Sequence, residues 1–309
     1  MDNILFVPST RETEWVQDVL PETSPAELPV AGRRAIDYAM ERAQQIGVMF
    51  TEVLDWHFSQ KLADEFADMT RTGFPVFYTK GEGPVPKGLR DIEGRSSPLT
   101  SNIMDGLVVV WGLAISTHSA ADVTLSPLSD EDCTNTPAGL YRREGGRWMR
   151  VTPHGLVVRS IKAWHELNFL ILRQPQLFTI PGYSSERDVH LGRSVVMEYG
   201  TEVKPPVLLN DNTWLARNVQ LCGDVVIDSG SYVSEGATLR RTIVCRDTFI
   251  GAGLELDGKI VVGRRVIDAD TGTWVDLEEP GLARRILPGF GWLRSIWHFL
   301  RGRSVGRRG

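Results

Sequence analysis

The chain has 309 residues, 42% of them hydrophobic and 24% charged, which is the composition of a folded protein with room for two cores and excludes a disordered chain. No apolar run approaches the ~20 residues of a membrane-spanning helix. The net charge of −5 divides into +7 beyond Glu279 and −12 before it, so the body is unsuited to nucleic acid and only the arginine-rich end suits an anionic surface.

Read in chain order, residues 4–7 (Ile-Leu-Phe-Val) predict a first strand. They are too short for a signal sequence, and no basic, apolar, small-residue order surrounds them. Apolar residues at Ile36, Ala39, Met40 and Ala43 predict a helix over 34–45, closed by Gly47. A strand over 48–54, a helix over 60–69 and a strand over 75–78 follow. The apolar run 106–115 suits a buried central strand. Residues 130–150 are turn-rich and predict a short hairpin, and 161–172 predict a helix. Strands alternating with helices imply an α/β unit around a parallel sheet covered on both faces, over residues 1–180.

From residue 187 to 267 the period changes to six. Aliphatics recur at Leu191, Met197, Val203, Leu209, Leu215, Leu221, Ile227, Val233 and Leu239. After one single-residue deletion they resume at Val244, Ile250, Leu256 and Val262. A small or β-branched residue sits two positions before most of them, and Asn, Asp and Gly cluster between, as in Asn210-Asp211-Asn212. Neither a helix nor a plain strand has this period. A coil with three short sides per turn does: the aliphatic points inward and the turn former takes the corner at φ > 0. Residues 268–309 then read as a basic, aromatic tail. Leu293, Ile296, Trp297 and Leu300 share a helical face there, and Trp292, Trp297, Arg294 and Arg301 are the expected contacts with a membrane surface or a partner. The same face is equally suited to capping the coil.

The order of these features resembles the sugar-1-phosphate nucleotidyltransferases. Leu28-Pro29-Val30-Ala31-Gly32-Arg33-Arg34-Ala35-Ile36-Asp37-Tyr38, then a helix and Gly47-Val48, is similar to that family's LPV-G-P-I-Y segment. Trp164-His165-Glu166-Leu167-Asn168 resembles the helix before its C-terminal domain. The hexads, with Val189-His190-Leu191-Gly192-Arg193 at their start, resemble its left-handed parallel β-helix. The resemblance implies a Rossmann-like nucleotidyltransferase domain followed by that β-helix. It also implies nucleotidyl transfer from a nucleoside triphosphate to a sugar phosphate, with Mg²⁺ held by carboxylates.

The residues that such chemistry requires are missing. A phosphate cradle needs backbone without Cβ after the first strand, yet no glycine precedes Gly32 and no lysine precedes Lys61. The family's strand-end aspartate is replaced by Leu113 in Gly112-Leu113, and its second aspartate by Arg159-Ser160. Thr10-Arg11 matches a remnant of the family's T-R pair. Gly88 and Arg90, in Lys87-Gly88-Leu89-Arg90-Asp91, match its nucleotide-contacting segment. These four are the expected substrate contacts, and no catalytic residue is expected. The expected function is that of a degenerate homologue, a binding, regulatory or scaffold subunit in nucleotide-sugar or exopolysaccharide synthesis. No cofactor is expected, Mg²⁺ entering only if transfer persists through a rearranged site. Homo- or hetero-oligomers through the β-helix are expected, and contact of the tail with membrane or a membrane glycosyltransferase. A third reading is acyl transfer with His190 as base. Cys133, Cys222 and Cys245 show no CxxC spacing, so neither a disulfide framework nor a zinc site is suggested, and a cytoplasmic location is expected, peripheral at the membrane if the tail binds there.

Overall fold

The computed structural model of the chain describes residues 3–45, 47–71, 73–101, 103–115, 124–152, 156–184 and 188–286. It separates into two compact units, Met1–Leu167 with Gln176–Thr179, and Asn168–Pro175 with Ile180–Gly309.

In chain order the first part contains β1 (Asn3–Val7), α1 (Trp15–Val19), β2 (Pro29–Val30), β3 (Arg33–Arg34), α2 (Ala35–Gln45), β4 (Phe50–Asp55) and α3 (Gln60–Arg71). Then come β5 (Val76–Lys80), β6 (Leu107–Trp111), β7 (Ala114–Ile115), β8 (Thr124–Pro127), α4 (Asp130–Thr134), β9 (Gly139–Glu144), β10 (Arg147–Thr152), β11 (Leu156–Val157) and α5 (Ile161–Arg173). One seven-stranded sheet runs β5-β4-β1-β6-β9-β10-β8. Its first four strands are parallel, and the last three join antiparallel. The alternation of β1 and β6 explains the two cores. Leu5, Val7, Val109 and Trp111 pack on one face with Leu89, Ile92 and Tyr141. Ile4, Phe6 and Val110 pack on the other with Ile36, Met40 and Ala43 of α2 and Leu62 and Phe66 of α3.

Two expectations change. The sheet is mixed rather than parallel, because the expected short hairpin is a pair of six-residue strands, β9 and β10, paired into the main sheet. Gly145 and Gly146 turn it at φ 56° and 74°, the backbone a tight hairpin requires. The apolar run 106–115 is not one strand either. Gly112 breaks it at φ 69° and donates its N–H to Val7 O at 2.9 Å, after which β7 leaves to pair with β11. A Cβ on Gly112 would lie 2.8 Å from Ala138 Cβ, so this crossing requires glycine.

In the second unit β12 (Tyr183–Ser184) precedes a coil of three strands per circuit. The circuits are β13 (Val189–Leu191), β14 (Val196–Met197) and β15 (Glu202–Lys204); β16 (Val207–Leu209), β17 (Trp214–Leu215) and β18 (Gln220–Cys222); β19 (Val225–Ile227), β20 (Tyr232–Val233) and β21 (Thr238–Arg240); and β22 (Thr242–Val244), β23 (Thr248–Ile250) and β24 (Glu255–Asp257). Each strand from β13 to β22 pairs in parallel with the one three places later, so three sheets grow side by side. The corners carry positive φ at Asn212, Asn218, Asp224, Gly230 and Gly236, six residues apart. Leu209, Leu215, Leu221, Ile227, Val233, Leu239, Val244 and Ile250 fill the interior, all fully buried.

The deletion after Leu239 falls at the corner of Arg241, which alone replaces the pair Gly223-Asp224 of the circuit before. A second one-residue shortening at Gly258 moves the last register. Ile260 and Val261 pair with Ile243 and Val244, so Val261 rather than the expected Val262 enters the core. β25 (Lys259–Val262) continues the coil in parallel with β22, and antiparallel strands then close this end: β26 (Arg265–Asp268) and β27 (Trp274–Asp276) extend its sheet, and β28 (Ala283–Arg285) pairs with β23. Residues 274–276 and 283–285, read from sequence as tail, therefore belong to strands. Trp292, Arg294, Trp297 and Arg301 lie outside the described residues. Among the described residues no helix is long and apolar enough to cross a membrane.

Candidate functional site at the ends of the parallel strands

The carboxyl ends of β1, β4, β5 and β6 share one edge of the sheet, where ligands of open α/β sheets usually bind. Asp55, the last residue of β4, is the carboxylate there and is fully buried. Ser9 Oγ, just past β1, donates to its Oδ1, and Ser24 Oγ donates to its Oδ2. The Tyr78 hydroxyl on β5 donates to Oδ2 at 2.9 Å, and the His57 N–H donates to Oδ1 at 3.0 Å. Four donors from four segments thus converge on one carboxylate. Burial, and then the neighbouring Asp55 charge, raise the Tyr78 phenol well above its ordinary pKa, so it remains a donor.

Ser9, His57 and Asp55 form no nucleophilic triad. In such a triad the carboxylate orients the imidazole, which takes the serine proton. Here the one Ser9 hydroxyl proton goes to Asp55 and not to His57 Nδ1 3.0 Å away, the serine is fully buried, and the Asp55 carboxylate accepts from the His57 backbone N–H.

The loop after β1 closes on itself. The Thr10 N–H donates to Thr13 Oγ1, the Thr13 N–H donates to Thr10 O, and the Thr13 hydroxyl reaches Pro8 O, each at 2.9 Å. Thr10 is buried and its Oγ1 has no hydrogen-bond partner. Arg11 lies exposed at the start of the turn. Beside Pro8 a small cavity of about 10 Å³ is lined by Phe6, Ala26, Ile36 and residues 112–115, with few polar partners to hold a ligand. Above β4 and β5 the Trp56 ring covers Gly81 so closely that a Cβ there would lie 2.3 Å from it. The Arg95 guanidinium stacks on the same ring at 4.8 Å.

The expected substrate contacts are tied to different partners. Gly88 packs on the backbone of α4, where a Cβ would come within 2.4 Å of Cys133 O. Arg90 pairs with the exposed Asp130 at 2.5 Å. Where the family's aspartates were sought, Leu113 is buried, and Arg159 reaches back to Glu12 Oε2 at 3.0 Å. His190 is buried on β13. Burial lowers its pKa, with Asp188 acting oppositely, and its Nε2 has no partner. Sequence reading missed the Asp55 cluster. The one available signal was a polar residue closing an apolar strand, at the end where such loops converge.

Among the described residues, no group of three or more His, Cys, Asp or Glu is placed to hold a metal ion. Asp55 does not fit Mg²⁺ as it stands, since both of its oxygens already accept two donors and a cation would have to displace them.

No family model matches the chain. Over 120 residues, 38% of its length, the chain is 24% identical to a UTP–glucose-1-phosphate uridylyltransferase of Synechocystis sp., and the match covers 31% of that protein. This weak, partial likeness supports a general relationship to sugar nucleotidyltransferases and reaches less than a third of the relative.

Proposed function

We propose that the chain is a sugar-nucleotidyltransferase homologue whose first unit no longer performs transfer, and that it serves as a binding, regulatory or scaffold subunit in nucleotide-sugar or exopolysaccharide synthesis. In this reading the first unit derives from a Rossmann-like nucleotidyltransferase domain, and the coil is a left-handed hexapeptide β-helix that mediates assembly. The observation that carries the reading is the closed hydrogen-bond cluster on Asp55 at the strand ends. Transfer needs open N–H groups for triphosphate and open carboxylate oxygens for Mg²⁺. Each lost donor or cation in such a site lowers the rate by about a hundredfold or more. The arginines and tryptophans of the tail suit anionic lipid at the cytoplasmic face, near membrane glycosyltransferases.

Calorimetry with UTP and Mg²⁺, together with a pyrophosphate-release assay on glucose 1-phosphate, tests this. The expected outcome is neither Mg²⁺-dependent micromolar affinity nor turnover; turnover would make the chain an enzyme with a rearranged site. For the tail, pelleting with anionic vesicles is expected to disappear when residues 288–309 are deleted, and unchanged pelleting refutes the membrane role.

A further inference from the structure

The two ends of the coil are finished differently. At the far end β26 lies against β25 and β28 against β23. At the near end β12 covers β13, while β14 and β15 are the outermost strands of their sheets among the described residues. Interior side chains of this first circuit are correspondingly open: Leu191, Val195 and Val203 are only partly buried, and Met197 is 46% exposed. Val196 and Tyr199 stand exposed beside them. A solenoid end left in this state calls for a cover.

From this edge we infer that a second copy of the chain docks on the near end, through antiparallel pairing of β15 with its counterpart. The backbone sets the register. The Glu202 N–H donates to Val219 O, the residue before the neighbouring strand β18. Amide directions alternate along a strand, so Val203 turns its N–H and C=O to the open side. A two-fold axis at Val203 lets two copies exchange both of those hydrogen bonds, which is the close pair of an antiparallel ladder. Glu202 of each copy then stands opposite Lys204 of the other.

Charge selects this arrangement over the alternatives. Of the other outermost strands among the described residues, β14 (Val196-Met197) carries no charge to select a partner, and β24 reads Glu255-Leu256-Asp257; β24 paired with its own copy would set acid against acid twice. Head-to-tail stacking of β24 on β15 sets Glu255 beside Glu202, gains only Asp257 beside Lys204, and does not close into a finite assembly. Pairing of β15 with β15 alone gives two attractive pairs and no repulsive one. A charged edge of single sign would have served to repel a neighbour; alternating signs about Val203 complement a copy of themselves.

The inference rests on the coil and not on the nucleotidyltransferase reading, so the nucleotide assays above and the test below fail independently. The test is sedimentation equilibrium on the full chain with Glu202→Lys, Lys204→Glu and the double swap, circular dichroism confirming that each folds as wild type. The wild type is expected to be a dimer. Each single variant turns two attractive pairs into two repulsive ones and should raise the dimer Kd by about tenfold, and the double swap should restore it. A monomeric wild type, single variants with unchanged Kd, or a double swap that fails to recover would each overturn the proposal, the second pointing to a different surface.

Discussion

Replacing Asp55 by alanine separates a structural carboxylate from a ligand-holding one. The substitution removes the acceptor of four donors, of which Ser9 is fully buried and Ser24 is 3% exposed. A buried donor left unsatisfied costs about 1–3 kcal/mol. The four do not add, because the hydroxyls rotate to other acceptors and share one void. The expected loss is therefore ~3–5 kcal/mol, the range for breaking a buried charged network. Asparagine keeps the shape and one acceptor oxygen, and its NH₂ meets two hydroxyls able to accept, so Asp55→Asn should lose only about 1–2 kcal/mol. Urea unfolding followed by near-ultraviolet circular dichroism reads both. Because the chain has two units, only the transition that carries the first unit's buried Trp111, Trp148 and Trp164 is used. An alanine variant within about 0.5 kcal/mol of wild type would refute the structural assignment.

Three further outcomes are expected. Gly88→Ala pushes a Cβ into the α4 backbone and should destabilise by about 2–3 kcal/mol, whereas Arg90→Ala, which removes an exposed ion pair, should change stability by less than about 1 kcal/mol; thermal melts that rank them the other way would give the structural role to Arg90 and deny it to Gly88. Leu221→Ala opens a cavity in the fully buried interior of the coil and should cost about 3–4 kcal/mol, measured as a shift in the coil's urea midpoint. Burial raises the Asp228 carboxyl pKa, against the opposing hydrogen bonds of Ser229 and Asn210. Its folded value therefore lies above the unfolded one, and the stability it contributes is complete below about pH 4 and lost as pH rises through the folded value. Asp228→Asn should match wild type near pH 3 and melt higher at about pH 7; a lower melting point at neutral pH would contradict the sign.

The coil was legible because each sixth residue answers to two independent constraints, an inward aliphatic and a corner at positive φ. The register slipped only where Ile260, Val261 and Val262 offer three aliphatics in a row. There the hydrophobic pattern is satisfied in any frame, and strand pairing decides. In the first unit the parallel strands announced themselves as apolar runs, but β9 and β10 did not. Tyr141 and Trp148 point to the core while Arg142, Arg143 and Arg150 crowd the same stretch, so composition hid the alternation. The Asp55 cluster was invisible for a different reason. Its three side-chain donors lie 46, 31 and 23 residues away in sequence, and only the convergence of strand ends joins them. Thr10, Arg11, Gly88 and Arg90 were singled out by their likeness to the family's T-R pair and its nucleotide-contacting segment. In the structure the Thr10 N–H closes a turn and Gly88 admits α4.

A parallel sheet gathers its loops at one edge, and the polar groups there face a choice. They stay open for a ligand, at some loss of stability, or they satisfy one another and the edge becomes part of the core. Asp55, Ser9, Ser24, Tyr78 and Thr13 have taken the second course; at the loop after β1 the Thr10 hydroxyl is left without a partner. The two courses predict opposite pairs of results for one variant. If the edge still served a ligand, Asp55→Ala would abolish nucleotide affinity and leave stability nearly intact, as removal of strain at a working site does. If the edge is closed, the same change weakens the fold and leaves nucleotide affinity at whatever low level the wild type shows. Measuring both quantities on Asp55→Ala therefore decides between a working transferase and a subunit that has kept only its framework.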